Sequence, residues 1–280
     1  MGSRDLIPGP EGSIDRRGAA RGVMRRAWDI LFKALRGLTV LANNFYAALG
    51  IFIVAGATVA IAGTWAFTVL ASNMREGATQ RFDVAVLTWM SRHQVPWLET
   101  AMLEVTMLGN GAPVAAVVCV AALFLWLNRH RYSASLLLVA TAGGMILTGI
   151  LKTYFDRPRP RVFEWGAEVL TMSFPSGHAT SSAIVYGTVA YLAARLQKKR
   201  AARCLTLTAA GIVIALIGLS RMYLGVHYPS DVVAGITIGL AWAAFCMATL
   251  EVLQILARRE TREVREEVLE HEEPAPAHES

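Results

Sequence analysis

Three short polar strings interrupt an otherwise apolar chain: Lys152 with Arg159-Pro160 after it, Pro175-Ser176-Gly177-His178, and Ser220-Arg221 followed by His227 and Asp231. Their residue types suit phosphoryl transfer. Lys and Arg side chains clamp phosphate oxygens. A Pro-Ser-Gly string that opens a helix offers N–H groups left unpaired by the helix, and its glycine lets backbone approach an anion closely. A carboxylate four residues after His227 can turn back and accept its Nδ1–H, which leaves Nε2 free as a nucleophile. Two histidines and one aspartate thus supply a nucleophile, a proton donor and an orienting carboxylate.

The spacing K-x6-R-P, P-S-G-H and S-R-x5-H-x3-D resembles the type 2 phosphatidic acid phosphatase family, whose lipid phosphatases share a core with vanadium haloperoxidases. The motifs run from Lys152 to Asp231, and the apolar pattern on either side is similar to that of the six-helix bacterial members. The resemblance implies a phosphohistidine intermediate at His227 with Asp231 orienting the ring, and His178 as general acid. It also implies that Lys152, Arg159 and Arg221, with Ser176 and Gly177, hold the phosphoryl oxygens, which is where such groups act most strongly in the transition state. The implied substrate is a membrane lipid phosphate or diphosphate: polyprenyl diphosphate, phosphatidic acid or phosphatidylglycerol phosphate. Other readings are a lipid phosphotransferase using an acceptor lipid instead of water, a haloperoxidase, and a non-catalytic lipid transporter or binding protein. Intact motifs argue against the last and the apolar composition against the haloperoxidase. No residue separates hydrolysis from transfer.

The elements that must position these residues are membrane helices. At 280 residues, 54% hydrophobic and 17% charged, with mean hydropathy +0.42, the chain is too apolar for an ordinary soluble domain. The expected fold is all-α, a polytopic bundle of six transmembrane helices at Ala47–Leu70, Leu103–Leu127, Ser133–Leu151, His178–Ala194, Cys204–Leu219 and Val232–Leu250. A span needs roughly 20 apolar residues, so the fourth and fifth are expected to extend into their flanks. Residues 1–40 read as a basic cytoplasmic arm without a signal peptide. Its stretch Arg21–Leu38 reads either as an interfacial amphipathic helix or as an extension of the first span. Residues 41–254 form the membrane phosphatase domain, and 255–280 a charged cytoplasmic tail.

Most of the 27 Lys and Arg fall in the arm, at 128–132, at 195–203 and in the tail, which the positive-inside rule assigns to the cytoplasm. The three motifs then share the outer face, where Lys152, Arg159 and Arg221 defy the charge bias because they await an anionic substrate. Arg157 and Arg161, in the same motif segment, read either as further cations for that anion or as snorkelling interfacial residues. Ser72–Thr100 is expected to lie along the outer interface, and Gly109-Asn110-Gly111 to interrupt the second apolar run. Phe163, Glu164 and Trp165 read equally as a gate or as an aromatic belt, and Glu104 as an interfacial carboxylate ahead of a substrate role. The net charge of +6 lies beside membrane spans and suits anionic lipid, not nucleic acid. Cys119, Cys204 and Cys246 are isolated packing residues. No Asp-rich or Cys/His ligand set is present, so no cofactor is expected and catalysis is expected to be metal-independent.

Overall fold

The computed structural model describes residues 45–167 and 171–272, so the basic arm and the last residues of the tail lie outside the described residues. Eight α-helices and no strand occur among the described residues. They are α1 Phe45–Arg75, α2 Gln80–Arg92, α3 Pro96–Met107, α4 Gly111–Leu127, α5 Arg131–Phe155, α6 Gly177–Leu196, α7 Arg200–Tyr223 and α8 Pro229–Glu272. The expected spans therefore appear as helices, and the short fourth and fifth do run into their flanks.

Of the six spans expected, four stretches among the described residues are long and apolar enough on their own to cross a bilayer: Ile53–Arg75, Arg131–Phe155, Arg200–Tyr223 and Pro229–Leu253. A fifth arises when α3 and α4, bent by 45° at the Leu108–Asn110 break, are taken together. The break has a local cause: Asn110 is extended and its side chain accepts from Gly111 N–H, so a new helix starts there. The place of the fourth expected span is filled by α6, whose Thr180, Ser182 and Thr188 are buried. A helix enclosed by its neighbours has no need to be apolar around its circumference, because protein rather than lipid meets its faces.

Packing centres on α6 and α8. A Cβ at Gly235 would come within 2.7 Å of Ser176 O, and one at Gly239 within 2.8 Å of Ala183 Cβ and Thr180 O. Glycines at these two positions let α8 lie directly on α6, which brings the helix that begins beside Asp231 against the helix that begins beside His178. On its other side α8 meets α5, where the Trp242 ring fills the notch at Gly143 and donates from Nε1 to Ala140 O at 2.9 Å. The largest apolar cluster joins Val118, Leu125, Leu137, Ile184, Val185 and Leu192 from α4, α5 and α6. At the opposite end from the motifs, buried Glu251 accepts from Arg195.

The outer segment departs from expectation in one respect. Its helix α2 does show Phe82 and Trp89 to the outside, as an interfacial helix should, but it also buries Asp83 completely together with Leu87 and Met90. A fully buried carboxylate requires partners, and these are found at the site.

Candidate active site

Helix ends build the site. α5 carries Lys152 in its last turn and is stopped by Asp156, which takes a left-handed conformation (φ 46°) and donates its N–H back to Lys152 O. The chain reverses there, so Arg157 and Arg159 return toward the bundle. α7 ends on buried Ser220 and Arg221. The following turn depends on Gly225, whose φ of 72° and contact with the Phe163 ring exclude a side chain. That turn directs Val226, His227 and Tyr228 inward before α8 starts at Pro229.

His227 is the pivot. It is 1% exposed, and its Nε2 lies 3.1 Å from Arg159 Nη1. A guanidinium can only donate, so Nε2 is the acceptor and the ring proton sits on Nδ1. Nδ1 in turn faces Ser173 Oγ at 3.4 Å and Asp231 Oδ2 at 3.6 Å. Ser173 Oγ donates to the same Asp231 oxygen at 2.5 Å, and Tyr228 N–H donates to it at 2.9 Å. The carboxylate expected to bind Nδ1 directly thus shares that task with a serine. Burial pushes the His227 ring down to about 4, although Asp231 pulls the other way, so the ring is neutral across the physiological range.

The cations surround the free side of this ring. Arg159 donates from Nη1 to Val226 O at 2.6 Å and from Nε to Thr171 O at 2.6 Å. Lys152 Nζ donates to Met172 O at 2.5 Å and to Thr171 Oγ1 at 3.2 Å, and Arg159 Nη2 reaches the same hydroxyl at 3.2 Å. Thr171 therefore ties the two cations to one loop. Arg221 is 3% exposed and donates to Thr106 Oγ1 at 2.7 Å, while its Nε finds no partner among the described residues. His178, in the first turn of α6, packs on Gly109 and lies within Coulombic reach of Arg221, His227, Lys152 and Arg159.

Ser176 stands at the N-cap of α6 without acting as a cap. A capping serine would bind the first N–H groups of its helix, yet Ser176 makes no side-chain cap bond, and its fully buried Oγ has no partner among the described residues. Buried polar atoms without partners are rare. Ser176 Oγ and Arg221 Nε are two such atoms, both in motif residues. At Gly177 a Cβ would sit 3.6 Å from Lys152 Cε, so a side chain there would occupy space beside that cation.

One of the two readings of Arg157 is excluded. Arg157 does not snorkel at the interface: it is 7% exposed and bridges two carboxylates, donating from Nη1 to Asp231 Oδ1 at 2.5 Å and from Nη2 to Asp83 Oδ2 at 2.9 Å. Arg161 is exposed, as expected. Of the other residues singled out, Phe163 packs on Gly225, Trp165 donates to Pro160 O, and Glu104 is exposed on α3. Among the described residues no group of three His, Cys, Asp or Glu converges in the manner of a metal site. Asp83, Thr106, Thr171 and Ser173 were not foreseen as site residues. Only Ser173 carried a signal, by standing just before the Pro-Ser-Gly-His string.

The chain is similar to several known proteins. The model of the PAP2 superfamily matches residues 133–254. Phosphatidylglycerophosphatase B of Bacillus subtilis is 30% identical over 175 residues, which cover 62% of this chain and 86% of that protein. Decaprenylphosphoryl-5-phosphoribose phosphatase of Mycobacterium tuberculosis is 37% identical over 108 residues, covering 36% of this chain and 54% of the relative. The lipid A 1-phosphatase of Rhizobium johnstonii is 31% identical over 113 residues, covering 37% and 41%. The crystal structure of a transmembrane PAP2-type phosphatidylglycerolphosphate phosphatase from Bacillus subtilis superimposes with a TM-score of 0.64 at 28% identity, over 67% of this chain and 93% of that one. With the motifs converged at one end of an apolar helical bundle, the chain belongs to the PAP2 superfamily and is a membrane protein that hydrolyses phosphoric esters.

Proposed function

We propose that the chain is a lipid phosphatase that removes the terminal phosphate from a lipid phosphate or diphosphate at the outer leaflet, through a phosphohistidine on His227. The observation that carries this reading is the cluster of donors around His227 Nε2: Arg159 at 3.1 Å, with Lys152 and Arg221 close by and Ser176 Oγ, which has no partner among the described residues. A phosphoryl group resting among these donors presents phosphorus to Nε2. The Nε2 lone pair attacks, the bond from phosphorus to the leaving oxygen breaks, and His178 gives that oxygen a proton. Negative charge on the equatorial oxygens meets Lys152, Arg159, Arg221, Ser176 Oγ and the Gly177 N–H. Asp231 and Ser173 hold the Nδ1 proton and offset the imidazolium charge. Water, losing a proton to His178, then attacks the phosphohistidine and releases phosphate.

Side chains with fixed positive charge fill the role that a divalent ion plays elsewhere, which supports metal-independent catalysis. Lipid substrates are supported by the relatives, which are named for phosphatidylglycerophosphate, lipid A and decaprenylphosphoryl-phosphoribose. The outer leaflet is supported by charge: the helix ends opposite the motifs carry Arg129, Arg131, Lys198, Lys199, Arg200 and Arg203. The 41–254 unit is read as the catalytic domain, with the arm and tail on the cytoplasmic side.

The test is inorganic phosphate release from micellar phosphatidic acid, phosphatidylglycerol phosphate and polyprenyl diphosphate, with and without EDTA, and with acceptor lipid as a separate arm. Release that survives EDTA is expected. Activity lost in EDTA and restored by Mg²⁺, or phosphate recovered only on the acceptor lipid, would overturn the reading.

A further inference from the structure

The established motifs account for Asp231 as the partner of His227 but not for what holds Asp231. Its Oδ1 receives Arg157 Nη1 at 2.5 Å, and Arg157 Nη1 also donates to Ser230 Oγ at 2.8 Å. The other arm of the guanidinium, Nη2, lies 2.9 Å from Asp83 Oδ2. Asp83 closes the circuit by accepting from Ser230 N–H at 3.0 Å and from Ser230 Oγ at 2.6 Å. The Arg157 guanidinium stacks on the Tyr228 ring, 4.1 Å from its centroid. All four polar residues are buried, and Asp83 and Asp231 are 0% exposed. Two carboxylates from different helices thus share one guanidinium next to the nucleophile.

We propose that Asp83 and Arg157 are positioning residues for the nucleophile: Arg157, clamped by Asp83 on α2, holds the Asp231 carboxylate so that its Oδ2 stays directed at His227 Nδ1. The inference rests on His227 being the nucleophile. Charge gives the arrangement a distinctive consequence. Asp83, Arg157 and Asp231 together carry one net negative charge, which is what an imidazolium or phosphohistidine at His227 requires opposite it. Removing Arg157 alone leaves the buried Asp83 and Asp231 carboxylates with no cation between them, and such a pair does not keep both charges. Asp231 then loses either its charge or its orientation. Removing the Asp83 charge as well leaves Asp231 as the single anion, so the second change restores part of what the first destroyed.

The experiment compares kcat and KM for phosphate release by the full chain in mixed micelles for wild type, D83N, R157Q and D83N/R157Q, with H227A alongside. Thermal unfolding in detergent reports folding of each variant. D83N is expected to lower kcat by about threefold and R157Q by about 100-fold, with KM held within about twofold. The double variant is expected to turn over about tenfold faster than R157Q, where independent losses would make it about threefold slower; the implied coupling of about 30-fold lies within the range seen between contacting charged groups. If R157Q does not fold, R157K serves instead: its single ammonium cannot span both carboxylates, and D83N/R157K is expected to outpace R157K. Losses that multiply in these pairs, or that appear in KM rather than kcat, overturn the inference while leaving an inactive H227A to support the nucleophile. An H227A variant with undiminished turnover overturns the nucleophile itself.

Discussion

Ser173 Oγ donates to Asp231 Oδ2 at 2.5 Å while standing 3.4 Å from His227 Nδ1. It therefore completes the contact that Asp231, 3.6 Å from Nδ1, does not make alone. Ser173→Ala removes a hydrogen bond to a charged group, worth about 1.5–3 kcal/mol, from a carboxylate that keeps Arg157 and Tyr228 N–H. A fall in kcat of about tenfold with little change in KM is expected in steady-state phosphate release. Unchanged kcat would mean that Ser173 only fills space.

Thr106 on α3 is the partner of Arg221 Nη1 at 2.7 Å, and both are buried. Thr106→Val keeps the shape of the side chain and removes its acceptor, leaving a buried guanidinium arm unsatisfied. Since Arg221 faces the phosphoryl group in the proposed site, vanadate, which adopts the trigonal-bipyramidal form of the transition state, should bind about tenfold more weakly. Equal vanadate inhibition of wild type and variant would separate Thr106 from the anion site.

The three motifs were legible in the sequence because each joins a helix end to residues whose chemistry is local. Pro175 and Pro229 stand at helix starts, and the hydrophobic runs around them mark the helices. What holds the motifs was not legible. Asp83 lies 74 residues from Arg157 and Thr106 lies 115 from Arg221, so their pairing depends on how α2 and α3 pack rather than on any spacing. Arg157 looked like an interfacial cation because its two carboxylate partners were invisible along the chain. The polarity of α6 shortened its apparent span for the same reason: the helices that cover Thr180 and Thr188 come from elsewhere in the sequence.

The low affinity of His227 for a proton sets a pH signature. Burial holds the ring near 4, against about 6.5 in water, so the neutral ring that the proposed nucleophile needs is present above pH 4 and is lost as pH falls through that value. In rapid-quench experiments on the His178→Ala variant with a diphosphate lipid, where no histidine acid titrates alongside, the rate of phosphoenzyme formation, corrected for ionisation of the substrate phosphate, should hold steady from neutral pH to about 5 and then drop. A corrected midpoint at the ordinary histidine value would contradict the buried environment described for His227.

The most direct test of the central claim is acid- and base-quenched trapping of a radiolabelled phosphoenzyme in the two histidine variants, on a phosphomonoester and on a diphosphate lipid. His227→Ala should yield no phosphoenzyme and no turnover with either lipid. His178→Ala loses a proton donor, whose contribution is typically about 10² to 10⁴-fold and grows as the leaving group becomes more basic. It should therefore still form an acid-labile, base-stable phosphoenzyme on the diphosphate, whose departing phosphate bears its own charge well, while losing far more on the monoester. A phosphoenzyme trapped in the His227 variant, or equal losses on both lipids in the His178 variant, would contradict the assignment of nucleophile and acid.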